Sequence, residues 1–522
     1  MNGKQLKNSI LQWAIQGKLV PQDPNDEPAS VLLDKIRQEK ERLIKEKKIK
    51  RDKNASIIYR GEDNSYYEKI LATGEVKCID EEIPFEIPQG WEWCRLGTIA
   101  EIIGGYAFPS LMLKGDTGTR VIRISDFTEH GLTKSRIVRY NGVAISDLYT
   151  IQISDILMAM TGGTVGKSCY IKSLPEKLLL NQRVAVIRNQ YMNSEYINLI
   201  VESPHIIAFV NDRKNSTNDN ISMKDIYNFL IPIPSIKQQE RIVNAFNSIR
   251  PIIKRFAQVQ ENKEKLQNEV KDKLRKSILH EAIQGKLVPQ ISEEGTAQDL
   301  LQVIKEEKQK LFKEGKLKKS ALNDSVIFRS DDNKYYEQIG KKCLDVTDEI
   351  PFVIPETWQW VRIRDVFQLN PKNEADDETL AAFIPMEKVS AGYKSDFTFD
   401  LVKWGNIKKR FTHFANGDVA FAKITPCFQN RKSAIFHDLP NGIGAGTTEL
   451  KVLRPYGNTI DRWYLLYFLE SPYFIDEATF KGTANQQRIV VGYLEDKLFP
   501  LPTQKEQQRI VAQIEKLFEQ LR

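Results

Sequence analysis

The chain contains two copies of one sequence pattern, separated by about 268 residues. The segment LKNSILQWAIQGKLVPQ at Leu6–Gln22 returns as LRKSILHEAIQGKLVPQ at Leu274–Gln290. Two further pairs recur in the same order: EIPFEIPQGWEW at Glu82–Trp93 with EIPFVIPETWQW at Glu349–Trp360, and IPIPSIKQQERIV at Ile231–Val243 with FPLPTQKEQQRIV at Phe499–Val511. A period this long is that of a whole domain with its connector. The sequence therefore predicts two tandem copies with pseudo-two-fold symmetry, which suits a ligand with two halves.

The composition is that of a globular protein large enough for two sizeable domains. The 522 residues include 76 Lys and Arg against 69 Asp and Glu, a net charge of +7. This mild excess does not by itself identify a nucleic-acid ligand. The five cysteines lie far apart and form no Cys-x-x-Cys pair, which argues against a disulfide framework and a structural zinc site. Because no apolar run approaches the length of a membrane span, we expect a soluble, cytoplasmic protein.

Each copy divides into a globular block and a helical block. The globular blocks, about 82–234 and 349–502, hold short alternating segments typical of strands, such as Arg120–Ser125, Val184–Arg188 and Glu449–Leu453. Near its end, each block has a helical segment around a Ser-Pro pair, at Glu195–Val210 and Asp461–Phe480. The predicted fold class is therefore α/β, in the mixed α+β sense, for both blocks.

A long connector helix is predicted after the first globular block. Ser235 with Gln238, and Thr503 with Glu506, have the spacing of a capping box at a helix start. Apolar residues then recur every three or four positions from Ile242 to Ile278, the pattern of a coiled-coil seam. If it is helical to about residue 280, the connector is roughly 65 Å long at about 1.5 Å per residue.

The two ends of the chain together correspond to a second connector. The helix predicted from Thr503 runs to Arg522, and Leu6–Ile15 corresponds to the last part of the first connector. We therefore expect a circular pseudo-dimer in which the second connector is split between the termini and lacks roughly fourteen residues, a gap read from the offset between the copies. Pro251 is expected to kink or interrupt the first connector.

A charged helical arm follows each GKLVPQ segment, at Ala29–Arg51 and Ala297–Lys319. Two interpretations remain open for charges such as those of RQEKERLIKEKKIKR. They form a solvated helix face, or they belong to an arm that grips a partner subunit or phosphates. Tyr66–Glu68 and Tyr335–Glu337 then lead into the globular blocks.

The segment MTGGTVGKS at Met160–Ser168 comes closest to a catalytic motif. A P-loop requires Gly, four residues and Gly-Lys-Ser/Thr, but Thr161 stands at the first glycine position and the second copy has ITPCFQNRKS instead. The segment is interpreted as a Gly-rich hairpin or as a flexible loop whose Lys167 reaches a phosphate or base edge. The sequence lacks the motifs of amino-methyltransferases and metal-dependent nucleases, and its five histidines form no close ligand pairs. These features favour a recognition protein. The alternative is an ATP-dependent or nucleolytic enzyme that uses the Gly162–Ser168 loop.

Several of these segments together resemble the specificity (S) subunit of bacterial type I restriction-modification enzymes. They are the tandem blocks, the helix starts QQERI and EQQRI after Pro-x-Pro, the paired AIQGKLVPQ segments and the paired EIPFxIPxxWxW segments. The resemblance covers nearly the whole chain. TGGTVGK with LNQRVAVIR, and AKITPCFQN with GTTELKVLRP, look like two different classes of that family's target-recognition domains.

The resemblance implies five segments: an N-terminal helix with a charged arm (1–81), target-recognition domain 1 (82–234), a central connector with a charged arm (235–348), target-recognition domain 2 (349–502) and a C-terminal connector helix (503–522). Each domain would read one half of an asymmetric bipartite site in double-stranded DNA. The connectors, as long antiparallel coiled-coil-like helices, would set the spacing and bind two methyltransferase (M) subunits, and restriction/motor (R) subunits would join for restriction.

The same resemblance implies that the chain itself is non-catalytic and holds no cofactor or metal. S-adenosylmethionine, ATP and Mg would then be bound by the partner subunits, and no membrane is involved. A second alternative is an orphan DNA-binding scaffold that has lost its methyltransferase partner.

Two groups of residues are the candidate DNA contacts. Those in the first block are Gly163, Thr164, Lys167, Gln182 and Arg183. Those in the second block are Lys423, Thr425, Gln429, Asn430, Lys432, Thr448 and Glu449, with Gln486, Gln487 and Arg488 from the polar loop Gly482–Arg488, which corresponds to Lys214–Asn220. Arg and Lys pair with guanine, Gln and Asn with adenine, and Glu accepts from the amino group of cytosine. We expect Lys167→Ala to weaken binding or relax specificity at the first half-site only. The aromatic residues Trp91, Trp93, Trp358 and Trp360 are interpreted as core.

Overall fold

The chain forms two compact units, Met1–Glu264 and Lys265–Arg522, in a computed structural model. The structure describes residues 1–114, 117–134, 136–213, 219–483, 486–490 and 492–521. Both units mix helices with short strands, as the sequence predicted. None of the helices in these ranges combines the length and apolarity needed to cross a lipid bilayer.

The first unit begins with two helices and a three-stranded sheet, followed by the globular block. Its described helices are α1 (Gly3–Ile15), α2 (Ala29–Lys45), α3 (Leu96–Ile99), α4 (Ser194–Val201), α5 (Pro204–Arg213), α6 (Met223–Tyr227) and the first part of α7 (Ile236–Ile283). Its described strands are β1 (Ser56–Arg60), β2 (Tyr66–Ile70), β3 (Val76–Cys78), β4 (Glu92–Arg95), β5 (Ala100–Gly104), β6 (Leu113–Lys114), β7 (Thr119–Ile122), β8 (Phe127–Thr128), β9 (Gly131–Leu132), β10 (Val138–Tyr140), β11 (Ile156–Ala159), β12 (Ser168–Tyr170), β13 (Leu178–Leu180), β14 (Val184–Asn189) and β15 (Leu230–Ile233).

The second unit has a similar but not identical order of elements. Its described helices are the second part of α7, α8 (Ala297–Lys313), α9 (Ile363–Val366), α10 (Trp404–Ile407), α11 (Arg462–Glu470), α12 (Pro472–Ile475), α13 (Tyr493–Asp496) and α14 (Gln504–Gln520). Its described strands are β16 (Ser325–Arg329), β17 (Tyr335–Ile339), β18 (Lys342–Asp345), β19 (Gln359–Arg362), β20 (Phe367–Leu369), β21 (Leu380–Ile384), β22 (Asp400–Lys403), β23 (Thr412–Ala415), β24 (Val419–Ala422), β25 (Ser433–Ile435), β26 (Ile443–Gly446), β27 (Leu450–Pro455), β28 (Phe480–Thr483), β29 (Gln486–Ile489) and β30 (Leu498–Leu501).

Each globular block is built on two four-stranded sheets. In the first block their strand orders are β12-β11-β14-β5 and β13-β7-β10-β6. In the second block they are β25-β24-β27-β20 and β22-β21-β26-β23. The central strands β11 and β24 are buried at every residue, because continuous apolar runs of four residues pack on both faces. The loops that leave these two strands therefore start from fixed positions at the edge of the core.

An arm precedes each block and is tied to it by a buried ion pair. In the first arm, α2 is followed by the sheet β1-β2-β3, and in the second, α8 is followed by β16-β17-β18. Arg95 binds Glu68 of β2 at 2.8 Å, and Arg362 binds Glu337 of β17 at 2.7 Å. Both arginines are nearly buried, so the guanidinium groups fix the arms to the first strand of each block.

The predicted helices are present with shifted ends. The arm helices stop at Lys45 and Lys313, before the predicted ends at Arg51 and Lys319. The helical segments around Ser-Pro are each divided in two at the proline, because a proline starts the second helix at Pro204 and Pro472.

The connector α7 departs from two predictions. It runs from Ile236 to Ile283 with Pro251 inside it, so of the two effects expected of this proline the interruption was wrong and the kink stays a prediction. The apolar seam is buried at Ile242, Phe246 and Ile253 but solvent-exposed at Leu266, Val270 and Leu274. The coiled-coil pattern is thus used for packing mainly at the start of the helix.

The helix starts at Ser235 and Thr503 form only half of the predicted capping box. Each hydroxyl accepts a hydrogen bond from the backbone N–H three residues later. The Glu506 carboxylate instead accepts from Trp358 Nε1 at 2.8 Å. In the first unit the matching Trp91 donates to Gln22 at 2.8 Å, so each tryptophan is anchored to a polar partner while its ring is buried, as predicted for core residues.

Candidate nucleic-acid interface

The first candidate site consists of three loop segments at one end of the sheet that contains β11. We call residues 160–167, 181–183 and 219–221 the first loop cluster. Met160 N–H donates to the Arg183 carbonyl at 3.0 Å, Ile221 N–H donates to the Met160 carbonyl at 2.9 Å, and Gly162 N–H donates to the Asp219 carbonyl at 2.8 Å. These backbone bonds join the three segments into one surface.

The predicted residues Gly163, Thr164, Gln182 and Arg183 are all exposed on this surface. Gly163 lies in a short helical turn, and a Cβ added there would contact nothing within 4 Å. The hydrogen bond from Gln182 N–H to the Tyr106 carbonyl, at 2.9 Å, fixes the second segment. The side chains are therefore free to meet a ligand while their backbone is held.

The second candidate site occupies the equivalent place in the second block. We call residues 423–432, 447–449 and 486–489 the second loop cluster. Lys423 N–H donates to the Glu449 carbonyl at 2.8 Å, Ile489 N–H donates to the Lys423 carbonyl at 3.0 Å, and Thr425 N–H donates to the Gln487 carbonyl at 2.8 Å. These bonds match the three of the first loop cluster one for one.

The matched backbone positions carry different side chains in the two clusters. Arg183 of the first cluster stands where the second has Glu449. Asn220, which bridges to Thr161, stands where the second has Arg488, which bridges to Ile424. One backbone frame thus presents a different set of hydrogen-bond donors and acceptors in each block.

Arg488 and Glu449 form an ion pair on the second cluster. The guanidinium donates from Nε at 2.9 Å and from Nη2 at 2.7 Å to the two carboxylate oxygens. The hydrogen bond from Arg488 lowers the pKa of Glu449 below its ordinary value. The pair is partly exposed, so both side chains remain accessible to a ligand.

The remaining predicted residues of the second cluster lie on the same loops. Gln429, Asn430, Thr448 and Gln486 are exposed, and Gln487 is half-buried, with its N–H bonded to Thr425 Oγ1 at 3.2 Å. Part of each predicted polar loop, residues 214–218 and 484–485, lies outside the described residues.

Lys167 and Lys432 hold the loops in place from within. Lys167 Nζ donates to the Ile124 carbonyl at 2.5 Å and lies 4.8 Å from the ring centre of Phe127. Lys432 Nζ donates to the Met386 carbonyl at 2.9 Å in the second block. Burial lowers the pKa of Lys167. Both ammonium groups already have a structural partner, and a contact of either with DNA stays a prediction.

The Gly-rich segment forms a hairpin and not a P-loop. It joins β11 to β12, so a strand follows Lys167 where a P-loop would begin a helix that points its N–H groups at phosphate. Within the described ranges, no group of three or more His, Cys, Asp and Glu side chains is arranged to hold a metal ion.

A groove of about 1260 Å³ lies beside the first loop cluster, between the globular block and helices α1 and α7. Lys4, Arg250 and Lys254 line its helical wall, and Lys134 lines the opposite side. Lys7 spans the groove and binds Glu202 at 2.9 Å and Glu129 at 2.5 Å. The two carboxylates keep this lysine in place, while the other cations give the groove a positive lining.

A family model describes the residues that carry both loop clusters. The model for the type I restriction modification DNA specificity domain matches residues 88–271 and 355–522, one match in each repeat. The chain belongs to this specificity-domain family.

Two curated members of the specificity family match part of the chain. The Escherichia coli type I restriction enzyme EcoAI specificity subunit is 41% identical over 248 residues, and the EcoEI specificity subunit from the same species is 39% identical over 249 residues. Each match covers 47% of this chain and 39% of the relative, so the chain spans about two fifths of the length of the curated relatives. A solved chain from work on complex assembly and conformational transition of the type I R-M system is 17% identical, covers 84% of this chain and 92% of its own length, and has a TM-score of 0.49.

Sequence reasoning missed one buried residue of the second specificity domain. Glu470 ends α11 behind the second loop cluster, and Ser433 Oγ donates to its Oε1 at 2.6 Å. Among the described residues its Oε2 has no hydrogen-bond partner, and burial raises the pKa of this carboxyl to about 7. Nothing in the local sequence LLYFLESP separates this glutamate from an exposed helix end, since only the tertiary packing of α11 buries it.

Proposed function

We propose that this chain is the DNA-recognition subunit of a type I restriction-modification complex, and that each block reads one half of an asymmetric bipartite site in double-stranded DNA. The observation that carries the proposal is the pair of loop clusters. Three matched backbone hydrogen bonds hold them in the same frame, and unlike side chains occupy that frame. A common frame with different donors and acceptors is what two unlike half-sites require.

The side chains of each cluster have the chemistry of base readout. Arg183 and Gln182 offer donors for guanine and adenine in the first block. In the second block, Arg488 donates where Asn220 stands in the first, and Glu449 accepts where Arg183 donates. We expect Gly163 to allow close approach of the loop backbone to the DNA, because no side chain stands between them.

The connectors are proposed to set the distance between the half-sites and to bind two methyltransferase subunits. Helix α7 is 48 residues long and contributes to both units, while α1 packs on its first part and α14 on its second. If these helices pair in an antiparallel, pseudo-two-fold manner, they would form two equivalent binding surfaces, one for each methyltransferase subunit. Restriction subunits complete the proposed complex. The chain itself is proposed to be non-catalytic and cytoplasmic, with S-adenosylmethionine, ATP and Mg bound by its partners.

Co-expression with the methyltransferase encoded beside this chain tests the proposal. Single-molecule sequencing of the host genome maps every modified adenine. The expected result is one bipartite, asymmetric motif with a fixed gap of unread bases. A soluble complex that leaves no modified motif would contradict the proposal.

Matched variants assign the halves of the motif to the blocks. Asn220→Ala and Arg488→Ala change equivalent positions in the two clusters. Each is expected to relax the motif in one half only, and in different halves, by about 1–3 kcal/mol of discrimination. If either variant altered both halves equally, the modular assignment would be wrong.

A further inference from the structure

Each arm ends its helix in an exposed basic turn that the family model does not cover. The first basic turn comprises residues 47–53 after α2, with the sequence KKIKRDK, and the second comprises 316–319 after α8, with the sequence KLKK. Both lie outside the matched ranges 88–271 and 355–522. The turns recur at equivalent places in the two repeats, whereas the loop clusters differ. Positive charge that is kept in both copies suits a part of the ligand that is the same at both half-sites.

Helix capping does not account for these charges. Lysines in the last turn of a helix interact with its dipole, but the effect falls off beyond that turn. The basic turns lie after the helix ends. Lys47, Lys50, Lys53, Lys318 and Lys319 form no ion pair within the part of the chain that the structure describes. Their charges are therefore available to a ligand.

Lys47 occupies a backbone position that favours glycine. Its φ is +58°, and the equivalent position in the second arm is Gly315 with φ +72°. Both residues follow the same helix end, in which the N–H of the next residue bonds five positions back, from Lys48 to Leu43 and from Lys316 to Leu311. A lysine here costs conformational energy that glycine avoids. Folding alone therefore does not explain its charge.

A series of hydrogen bonds and chain connections joins the first basic turn to the first loop cluster. Asp52 of the turn accepts a hydrogen bond from Tyr227 at 2.5 Å. Tyr227 ends α6, whose N-cap Ser222 follows Ile221, and Ile221 is bonded to Met160 at the base of the cluster. From the rise of a helix and of extended chain, the turn lies on the order of 20 Å from the cluster.

Each arm is also linked to its globular block through a lysine of the arm helix. Lys40 of α2 donates to the Thr98 carbonyl of α3, and Lys308 of α8 donates to the Asp365 carbonyl of α9. Helix α9 binds α13 through the Arg364–Asp496 ion pair, just as α3 packs on α6. Each arm therefore reaches the helix that follows the last segment of its loop cluster.

We propose that the two basic turns bind the phosphate backbone of duplex DNA outside the bases that each loop cluster reads. This inference rests on the proposed function. Because a duplex carries a phosphate about every 3.4 Å along each strand, a turn on the order of 20 Å away meets phosphates roughly half a helical turn beyond the read bases. Such contacts add affinity without adding sequence preference.

Salt titration of DNA binding tests the inference. The complex of this chain with its methyltransferase is titrated against a long duplex of unrelated sequence at several salt concentrations. One variant carries Lys47→Gln, Lys50→Gln and Lys53→Gln, and the other carries Lys316→Gln, Lys318→Gln and Lys319→Gln. Each lost phosphate contact lowers the slope of log affinity against log salt by about 0.9. We expect the first triple variant to lose about two to three units of slope and the second about two, because Lys316 is already paired with Glu314, and each to lose roughly tenfold or more in affinity.

A charge-matched control separates these contacts from net charge. Lys69→Gln, Lys341→Gln and Lys342→Gln remove three exposed charges from the arm sheets and not from the turns. The control is expected to keep the wild-type slope. Triple variants that match the control would overturn the inference. So would variants that bind DNA normally but no longer co-purify with the methyltransferase, since the turns would then bind a partner surface.

The failure of the inference differs from the failure of the proposed function. If the wild-type complex had no affinity for duplex DNA and left no modified motif, the proposed function itself would fail. If the wild-type complex modifies a bipartite motif and the turn variants keep the full salt dependence, only the inference fails.

Discussion

Arg488 neutralises Glu449 on the surface proposed to meet the second half-site. Because the hydrogen bond from Arg488 lowers the pKa of Glu449, the carboxylate stays ionised to a lower pH than an ordinary glutamate. Its contribution to stability is present above the ordinary pKa and is lost as the pH falls through the lowered one. When DNA binds, the Arg488–Glu449 ion pair is therefore either kept, or each of the two side chains exchanges its partner for a base.

Glu449→Gln tests which of these happens. The change keeps the shape of the side chain and removes its charge, so Arg488 becomes free to bind an acceptor such as guanine. We expect the second half of the modified motif to change at one position and the first half to stay the same. Mapping modified adenines in cells that carry the variant measures both halves. An unchanged motif would mean that neither side chain reads a base.

Gly163→Ala separates DNA contact from folding in the first block. A Cβ at this position has open space around it, and its φ does not lie in the left-handed region, so we expect the melting temperature to stay within about 1 °C of wild type. If the loop backbone approaches DNA closely, the added methyl group reduces affinity for the first half-site. Binding to duplexes with either half-site scrambled measures the effect. Equal losses on both duplexes would argue against it.

Lys167→Ala is expected to act differently, because its ammonium group holds the loop from within. Removing it leaves the Ile124 carbonyl without its donor, at a cost of about 1–3 kcal/mol. The free energy of unfolding should fall together with affinity for the first half-site. Thermal melting and the same binding assay distinguish this case from Gly163→Ala. A loss of affinity at unchanged stability would instead identify Lys167 as a direct contact.

Glu470→Gln is expected to remove a pH dependence of stability. Burial raises the pKa of Glu470 to about 7, above its ordinary 4.5. The folded state therefore holds the proton more tightly than the unfolded state, and the wild type loses stability as the pH rises from about 4.5 through about 7. The neutral amide of the variant does not titrate, so it makes no pH-dependent contribution to stability. Between pH 5 and 8, the free energies of unfolding of the wild type and of Glu470→Gln should diverge toward high pH, by up to about 3 kcal/mol. Thermal melting of both proteins across this range measures the difference. Parallel curves would show that the carboxyl titrates normally.

Arg362→Ala is expected to release the second arm. The substitution removes the closer partner of the Glu337 carboxylate, which is 4% exposed, and leaves it the contact with Arg364 at 3.2 Å, at a cost of about 1–3 kcal/mol. Limited proteolysis should cut the chain faster between α8 and β19, and the melting temperature should fall. Lys334→Ala removes the exposed pair with Asp345 and serves as the control, with an effect below about 1 kcal/mol. Equal effects of the two variants would refute the anchoring role.

The duplication made much of the architecture predictable from the sequence. Because the same landmarks recur, the positions of the globular blocks, the arms and the connector could be aligned before any contact was known, and α1, α2, α8 and α14 lie where the helical patterns predicted them. The tryptophans Trp93 and Trp360 could be assigned to the core because each lies in an apolar segment repeated in both copies.

The details of the two loop clusters could not be read from the sequence. No shared motif links Met160 to Lys423 or Arg183 to Glu449, since their equivalence lies in backbone hydrogen bonds, which do not depend on side-chain identity. For the same reason Lys167 was placed among the base contacts, although a carbonyl 43 residues earlier in the chain holds its ammonium group. Long-range partners of this kind leave no local pattern.

The equivalent residues Trp91 and Trp358 donate to acceptors from different segments of the chain, and these two acceptors respond differently to acid. The amide of Gln22 accepts from Trp91 at any ordinary pH, whereas the carboxylate of Glu506 that accepts from Trp358 is a titrating group whose pKa is raised by burial. A protonated Glu506 loses acceptor capacity at the start of α14. Of two repeats that began as copies, mild acid therefore weakens the tryptophan anchor of the second and spares that of the first.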